Sequence, residues 1–102
     1  MLIYRKYLTE PNKEIFYWKS KKNQEVDFVI KRGLKIQNAI QVCFSLADKK
    51  TMDREIEGLL AVKKELEASN LAIITEDERG KKEIDGATIN IIPLWEWLLR
   101  RL

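Results

Sequence analysis

Residues 25–31 alternate between apolar and polar side chains, and this alternation most constrains what the chain can fold into. Side chains along a β-strand point to opposite faces with a period of two, so the pattern predicts a strand with two unlike faces. One face carries Val26, Phe28 and Ile30, and the other carries Glu25, Asp27, Val29 and Lys31. Residues 31–35 follow, and their central glycine, Gly33, indicates the turn of a hairpin.

Residues 36–44 are the predicted partner strand of this hairpin, and they alternate in the same way. One face carries Ile40, Val42 and Phe44, and the other carries Gln41, Cys43 and Ser45. Because neighbouring strands of a sheet share their faces, we expect Asp27, Gln41 and Cys43 to converge on one face.

The chain before this hairpin predicts a helix end, a loop and one further strand. Residues 1–8 have helical spacing, Pro11 breaks the helix, and residues 15–18 are apolar and aromatic, as in a strand. The helix starts abruptly and without a cap, so we expect the natural domain to begin upstream. The polar residues 19–24 are the predicted turn before the hairpin.

The chain after the hairpin begins with the strongest helix pattern in the sequence, over residues 48–69. Asp48 or Thr51 is suited to cap its start, and Asn70 to end it. Its apolar stripe comprises Met52, Ile56, Leu59, Leu60 and Leu66.

Three further elements complete the predicted order. Residues 71–75 are continuously apolar, as in a buried central strand. The pair Asp85-Gly86 is typical of a tight hairpin, and Pro93 opens a last helix over residues 94–102. Arg100 and Arg101 suit the negative end of that helix. The sequence therefore predicts a single α/β domain over residues 1–102.

Composition excludes several classes of site. The chain has 102 residues, one cysteine and no histidine, so an internal disulfide, a zinc site built from Cys or His, and a Ser-His-Asp triad are all excluded. No segment is apolar enough for a membrane span or resembles a signal peptide, so we expect a cytoplasmic protein without a membrane partner.

The basic residues concentrate in residues 13–35, within a chain of 19 basic and 16 acidic residues and net charge +3. Such a segment meets the electrostatic condition for binding phosphates without demanding it. The residues expected to contact DNA are Lys21, Lys22, Arg32 and Lys35. The alternative is a solvated hairpin edge.

The predicted face of Asp27 has some of the ligands that a hard divalent cation needs. Asp27 and the carbonyl of Val42 supply two oxygens, and Gln41 a neutral third. Glu25 lies about 6.6 Å along the same strand. The alternative is structural: Asp27 bonds to backbone or to Lys35, Gln41 is a satisfied polar residue, and Cys43 is a small buried one.

Two aromatic segments also have two interpretations each. Tyr17-Trp18 and the lysines that follow resemble a single-strand binding surface, or they are an edge strand packed on the core. The last helix has a wide apolar stripe beside Trp95 and Trp97, which closes the core or covers a partner.

The placement of Asp27, Gln41 and Cys43 resembles the active-site pattern of PD-(D/E)xK nucleases. In that pattern an Asp lies on one strand, and the next strand carries an acidic residue, one apolar residue and a Lys. Here only Asp27 matches, because Gln41 and Cys43 stand in the other two places. A neutral thiol does not replace an ammonium group. The resemblance therefore implies a restriction-endonuclease-like central mixed sheet flanked by helices, without a working nuclease site.

Four ordered motifs resemble the C-terminal domain of prokaryotic AAA-type (P-loop) ATPases, a domain of unknown function with a PD-(D/E)xK-like fold. They are residues 15–19 (IFYWK), 25–30 (EVDFVI), 40–46 (IQVCFSL) and 92–98 (IPLWEWL). The resemblance implies an ATPase domain, in the same or another chain, as a partner. This sequence lacks a Gly-rich phosphate loop, so we do not expect the chain itself to bind ATP.

These observations predict a non-catalytic accessory domain of an AAA-type ATPase that contacts DNA and needs no cofactor. One alternative is a weak nuclease that uses Mg²⁺ or Mn²⁺ with Asp27, Glu25 and a displaced Lys35. A second alternative is a protein-docking module, or a homodimer, that uses the helix of Trp95 and Trp97.

Overall fold

The described part of the chain, residues 13–99, folds in the computed structural model into one six-stranded sheet and two helices. The strands are β1 (Lys13–Lys19), β2 (Glu25–Arg32), β3 (Lys35–Val42), β4 (Asn70–Thr75), β5 (Gly80–Ile84) and β6 (Ala87–Pro93), and the helices are α1 (Lys49–Leu66) and α2 (Leu94–Leu99). The predictions for residues 1–12, and those for Arg100 and Arg101, lie outside the described residues.

The sheet is mixed, with the strand order β1-β2-β3-β4-β6-β5. The strands β3, β4 and β6 run parallel to one another, and the remaining neighbours are antiparallel. A parallel pair needs a crossover connection, and α1 supplies it between β3 and β4. The predicted α/β class, with a central mixed sheet and flanking helices, is confirmed, as is the predicted order of elements from the first strand onward.

Both predicted hairpin turns are present. Gly33 has a φ of +62°, and the residues on either side of the two-residue turn, Arg32 and Lys35, pair with each other. Asp85 and Gly86 have φ values of +52° and +77°. Two consecutive positive φ angles define the turn type whose twist matches that of the flanking strands, and Asp-Gly tolerates them well.

The predicted alternation of β2 is wrong at Val26. This residue packs under α1 together with Val29, whereas Phe28 packs on the opposite face of the sheet. Between its pairs with β1 at Val26 and Val29, β2 has two residues, Asp27 and Phe28, opposite the single residue Tyr17. This is a β-bulge, and its extra residue reverses the alternation.

The long helix begins where predicted and ends earlier. Asp48 caps its start, because its side chain accepts a hydrogen bond from a backbone N–H of the first turn. The helix ends at Leu66 rather than just before Asn70. Glu67 adopts a left-handed conformation with a φ of +55°, and its N–H donates to the carbonyl of Lys63 at 2.9 Å. This geometry is a common helix end, usually formed by glycine.

Each face of the sheet has its own apolar cluster. α1 covers one face, called here the α1 face, with Ile56, Leu59 and Val62 buried against Val26, Val29, Ala39, Leu71, Ile73 and Ile89. α2 packs on the other, called here the α2 face, where Trp97 is buried with Ile30, Ile40, Ala72, Ile74 and Ile92. The central strand β4 contributes to both clusters, as its continuous apolar run predicted.

The left-handed helix end predicts that Glu67→Gly stabilises the protein. A left-handed conformation is costly for a residue with a Cβ atom and free of that cost for glycine, although glycine also has more freedom when unfolded. We expect the free energy of unfolding to rise by roughly 0.5 kcal/mol. Urea denaturation measures it, with Glu67→Ala as the control that keeps the Cβ atom. A glycine variant no more stable than the alanine variant contradicts this reading of the helix end.

Candidate functional site

Gln41 lies near the end of β3 and is almost completely buried, with 2% of its surface exposed. Its Oε1 accepts a hydrogen bond from the backbone N–H of Asp27 at 3.0 Å. Its Nε2 donates to the carbonyl of Glu25 at 2.6 Å and to the carbonyl of Glu55 at 3.3 Å. One side-chain amide therefore joins β3, β2 and α1, and both of its polar atoms are bound to main-chain groups.

Gly58 brings α1 close enough for this arrangement. A Cβ atom at this position would lie 2.7 Å from Gln41 Nε2 and would overlap the carbonyl oxygen of Glu25. The helix therefore meets the sheet at a residue without a side chain, directly beside the buried amide. This close approach is what lets the carbonyl of Glu55 reach Gln41.

Asp27 lies in the bulge of β2, and its carboxylate is exposed. Oδ2 of this carboxylate accepts a hydrogen bond from the backbone N–H of Val42 at 2.8 Å. The sequence left two structural alternatives for Asp27, a bond to backbone or a bond to Lys35, and the structure shows the bond to backbone. Lys35 lies at the opposite end of β3, roughly 23 Å away at the rise of a strand. The structure therefore does not bring Lys35 to Asp27.

Cys43 follows β3 and packs at the margin of the α1-face cluster. Its Sγ donates to the carbonyl of Ser45 at 3.1 Å. Burial raises the pKa of the thiol, and the nearby charge of Glu55 raises it further. The thiol is therefore neutral near pH 7 and carries no charge that resembles a lysine's.

Glu55 is a site residue that the sequence analysis missed. It lies on α1 and lines a small cleft of about 60 Å³ together with Asn23, Glu25, Asp27, Gln41 and Arg54. Burial raises the pKa of its carboxyl group, and the charge of Asp27 raises it further, while Arg54 lowers it. The signal that points to it is Gly58, one turn further along α1, which marks the side of the helix that meets the sheet.

The remaining acidic residue of the cleft, Glu25, is engaged elsewhere. Its carboxylate lies 3.9 Å from the ammonium group of Lys19, and its hydrogen bond with Tyr17 raises the pKa of that phenol. Within residues 13–99, no three His, Cys, Asp or Glu side chains are grouped so as to hold a metal ion. Asp27 and Gln41 thus lie together as predicted, but as parts of a hydrogen-bonded frame.

The four predicted DNA-contacting residues lie in two separate places. Lys21 and Lys22 follow β1 and line a groove of about 510 Å³ against α1, beside Lys64. Arg32 and Lys35 flank the Gly33 turn at the other end of β2. The predicted basic segment is therefore split by the length of a strand.

A basic row forms at the Gly33 end, across three strands. Lys13 pairs with Arg32, and Arg32 pairs with Lys35. Two residues along from the first pair, Ile15 and Ile30 pack on the α2 face. Because directly paired residues share a face and faces repeat every two residues, the basic row also lies on the α2 face.

The apolar side chains of the last helix are divided between the core and the surface. Trp97 is buried and closes the α2 face, whereas Trp95 is 55% exposed. An apolar pocket of about 400 Å³ opens beside it, lined by Val42, Phe44, Ile74, Thr75, Glu76, Leu94, Trp95 and Leu98. The guanidinium of Arg79 lies 5.7 Å from the ring centre of Trp95 and pairs with Glu96. The ring is therefore held in place by a cation–π contact.

The fold and the cleft define a small mixed α/β domain in which a buried amide joins the sheet to α1. A family model described as a domain of unknown function (DUF4143) matches residues 1–97, and the chain belongs to this family. No curated protein and no solved structure matches the chain. In the described part of the chain, neither helix is long and apolar enough to cross a membrane.

The contacts of Gln41 predict that Gln41→Glu destabilises the fold. A carboxylate has no hydrogens to donate to the carbonyls of Glu25 and Glu55. Its negative charge would also be buried beside the partial negative charges of these two oxygens. We expect the free energy of unfolding to fall by about 2–4 kcal/mol. Urea denaturation measures it, and Gln24→Glu, at a half-buried site that accepts a hydrogen bond, is the control. Equal stability of the two variants would contradict the structural role of the amide.

The raised pKa of Glu55 predicts a pH dependence of stability. A carboxyl group with a raised pKa in the fold binds its proton more tightly there than in the unfolded chain, whose value is near 4.5. The tighter proton binding stabilises the fold. This stabilisation is complete below the pKa of the unfolded chain and is lost as the pH rises through the pKa of the folded protein. Glu55→Gln removes the titration, so its stability relative to wild type should increase from about pH 4 to about pH 7.

Urea denaturation at several pH values measures this difference, and the absence of histidine removes one overlapping titration. Glu57→Gln, at an exposed position of the same helix, is the matched control and should show a smaller trend. A difference between wild type and Glu55→Gln that is constant with pH contradicts the prediction.

Proposed function

We propose that this chain is a non-catalytic domain with a restriction-endonuclease-like (PD-(D/E)xK) fold that serves an AAA-type ATPase and contacts DNA. The β2–β3 hairpin with Asp27 at its bulge, the mixed sheet and the four ordered motifs support the likeness to such domains. In this proposal the ATPase, in the same or another chain, hydrolyses the nucleotide, and this domain supplies a contact surface.

The absence of catalysis in this proposal follows from the contacts of three residues. Gln41 holds the frame together, and the thiol of Cys43 is neutral. The cation that lines the cleft is Arg54, which lies 3.9 Å from Glu55. A guanidinium group stays protonated and so cannot activate a water molecule as a general base. The nuclease alternative needs Lys35 beside Asp27, and these residues lie at opposite ends of the hairpin.

The observation that carries the DNA contact is the basic row of Lys13, Arg32 and Lys35. Arg32 and Lys35 lie directly opposite each other in neighbouring strands. Like charges in such a pair destabilise a sheet, and a bound polyanion offsets that repulsion. Neighbouring strands lie about 4.8 Å apart, so the row spans roughly 10 Å. That distance suits contacts to a few successive phosphates of one strand. Lys21 and Lys22 lie beside α1, away from this row, and are not part of it.

The proposal is tested by titrating fluorescently labelled single- and double-stranded DNA with the full chain at several salt concentrations. Contacts to phosphates release counterions, so affinity should fall steeply between about 50 and about 200 mM salt. Arg32→Gln with Lys35→Gln should weaken binding and reduce the slope of log affinity against log salt by about one for each lost contact.

Lys21→Gln with Lys22→Gln removes the same charge at the other place and is the matched control, expected to retain most of the binding. An equal loss in both double variants, or no binding at the lowest salt, contradicts the basic row as the DNA surface. Shortening of the DNA when Mn²⁺ is added contradicts the non-catalytic part of the proposal.

A second candidate function, protein docking or dimerisation, is supported by the apolar pocket beside Trp95. Its walls include Phe44, which is 76% exposed, and Leu98. Exposed apolar residues grouped around a pocket are typical of interaction surfaces. This role uses the carboxyl ends of β3 and β4, whereas the DNA contact uses the opposite end of β3.

A further inference from the structure

Leu34 is the most exposed large apolar residue in the described part of the chain, with 97% of its surface accessible. It lies in the two-residue turn after Gly33, at the tip of the β2–β3 hairpin. Arg32 and Lys35 flank it, and both are exposed. The hairpin tip is therefore one apolar side chain that projects between two cations.

The apolar pocket beside Trp95 has the size and the apolar lining that complement such a tip. It lies where β3 and β4 end, and its volume of about 400 Å³ accommodates a leucine side chain. Phe44 and Trp95 stand exposed among its walls. Because Arg79 holds the ring of Trp95, this wall is in place before anything binds.

The rim of the pocket has the charge opposite to that of the tip. Glu76 lines the pocket, and Asp77 follows it in an exposed loop. Within residues 13–99, neither carboxylate forms an ion pair. Arg32 and Lys35 are the complementary cations, and complementary charges around an apolar anchor set the orientation of a contact.

The tip cannot reach the pocket of its own chain. The two features lie beyond opposite ends of β3, which spans Lys35–Val42 and is roughly 23 Å long. We infer that copies of this chain associate head to tail, with Leu34 of one copy in the apolar pocket of the next. With one such contact per interface, two different surfaces are joined, and the association builds rings or open chains rather than a closed pair.

The association is expected to be weak, roughly micromolar to millimolar, because one hairpin tip forms a small interface. Sedimentation equilibrium of the full chain, up to about 1 mM, should show a mass that rises with concentration beyond that of a dimer. Leu34→Ser and Phe44→Ser change exposed residues, and each should weaken association at least roughly tenfold. Leu99→Ser, at a leucine that is 75% exposed and outside the pocket, is the matched control and should leave association unchanged.

A mixture of the two variants distinguishes a head-to-tail contact from a symmetric one. The Phe44→Ser chain keeps its tip and the Leu34→Ser chain keeps its pocket, so together they form one intact contact. The mixture should therefore yield a 1:1 dimer and nothing larger, while each variant alone stays monomeric. A mixture as monomeric as its components overturns the inference, as does a wild-type chain that remains monomeric at about 1 mM.

Leu34→Ser also separates this inference from DNA binding. Serine removes the apolar anchor without removing charge, so the variant should bind DNA as wild type does and still fail to assemble. DNA bound to Arg32 and Lys35 should dissociate the assembly, because both partners use the same cations. Loss of DNA binding in Leu34→Ser, with assembly retained, overturns the assignment of Leu34 as the anchor.

Discussion

The buried amide of Gln41 is the interaction on which the rest of this structure depends. Three hydrogen bonds from one side chain fix the spacing of β3, the start of β2 and the middle of α1. The Gln41 side chain is itself buried, where an unmade hydrogen bond is costly. Because Gly58 has no side chain, the helix sits close enough for the amide to reach both sides. Gln41 also holds the bulge of β2, because its Oε1 accepts a hydrogen bond from the backbone N–H of Asp27.

This frame also decides what the site can do. A carboxylate at position 41 would offer oxygens to a cation, but it would face two carbonyl oxygens that now receive hydrogens. The amide meets those carbonyls with donors and keeps the interior neutral. Asp27 remains with its exposed carboxylate, and its bond to the N–H of Val42 continues the frame at the end of β3. The side chain at position 41 therefore holds the fold together.

The sequence predicted the hairpin, the order of elements and the meeting of Asp27 with Gln41, because periodicity reports directly on strand faces. It failed at Val26, since a bulge depends on the register with β1, and one strand's pattern carries no information about its neighbour. Glu55 was missed for a similar reason. Whether its carbonyl and carboxyl group face the sheet depends on the rotation of α1 about its axis. In the sequence, Gly58 is the residue that indicates this rotation. The basic residues were predicted as one segment, but the length of β2 separates Lys21 and Lys22 from Arg32 and Lys35.

The net charge of the chain is only +3, but charged residues are distributed unevenly between the two ends of β3. The strand begins at Lys35, in a basic row beside Leu34, and ends at Val42, beside an apolar pocket with Glu76 at its rim. A phosphate backbone and the acidic rim of a second copy present the same sign of charge to the basic end. The two partners differ because only the pocket can bury an apolar side chain of the tip. A leucine side chain does not contribute to phosphate binding. The exposed Leu34 is therefore the reason why we assign the tip a second partner.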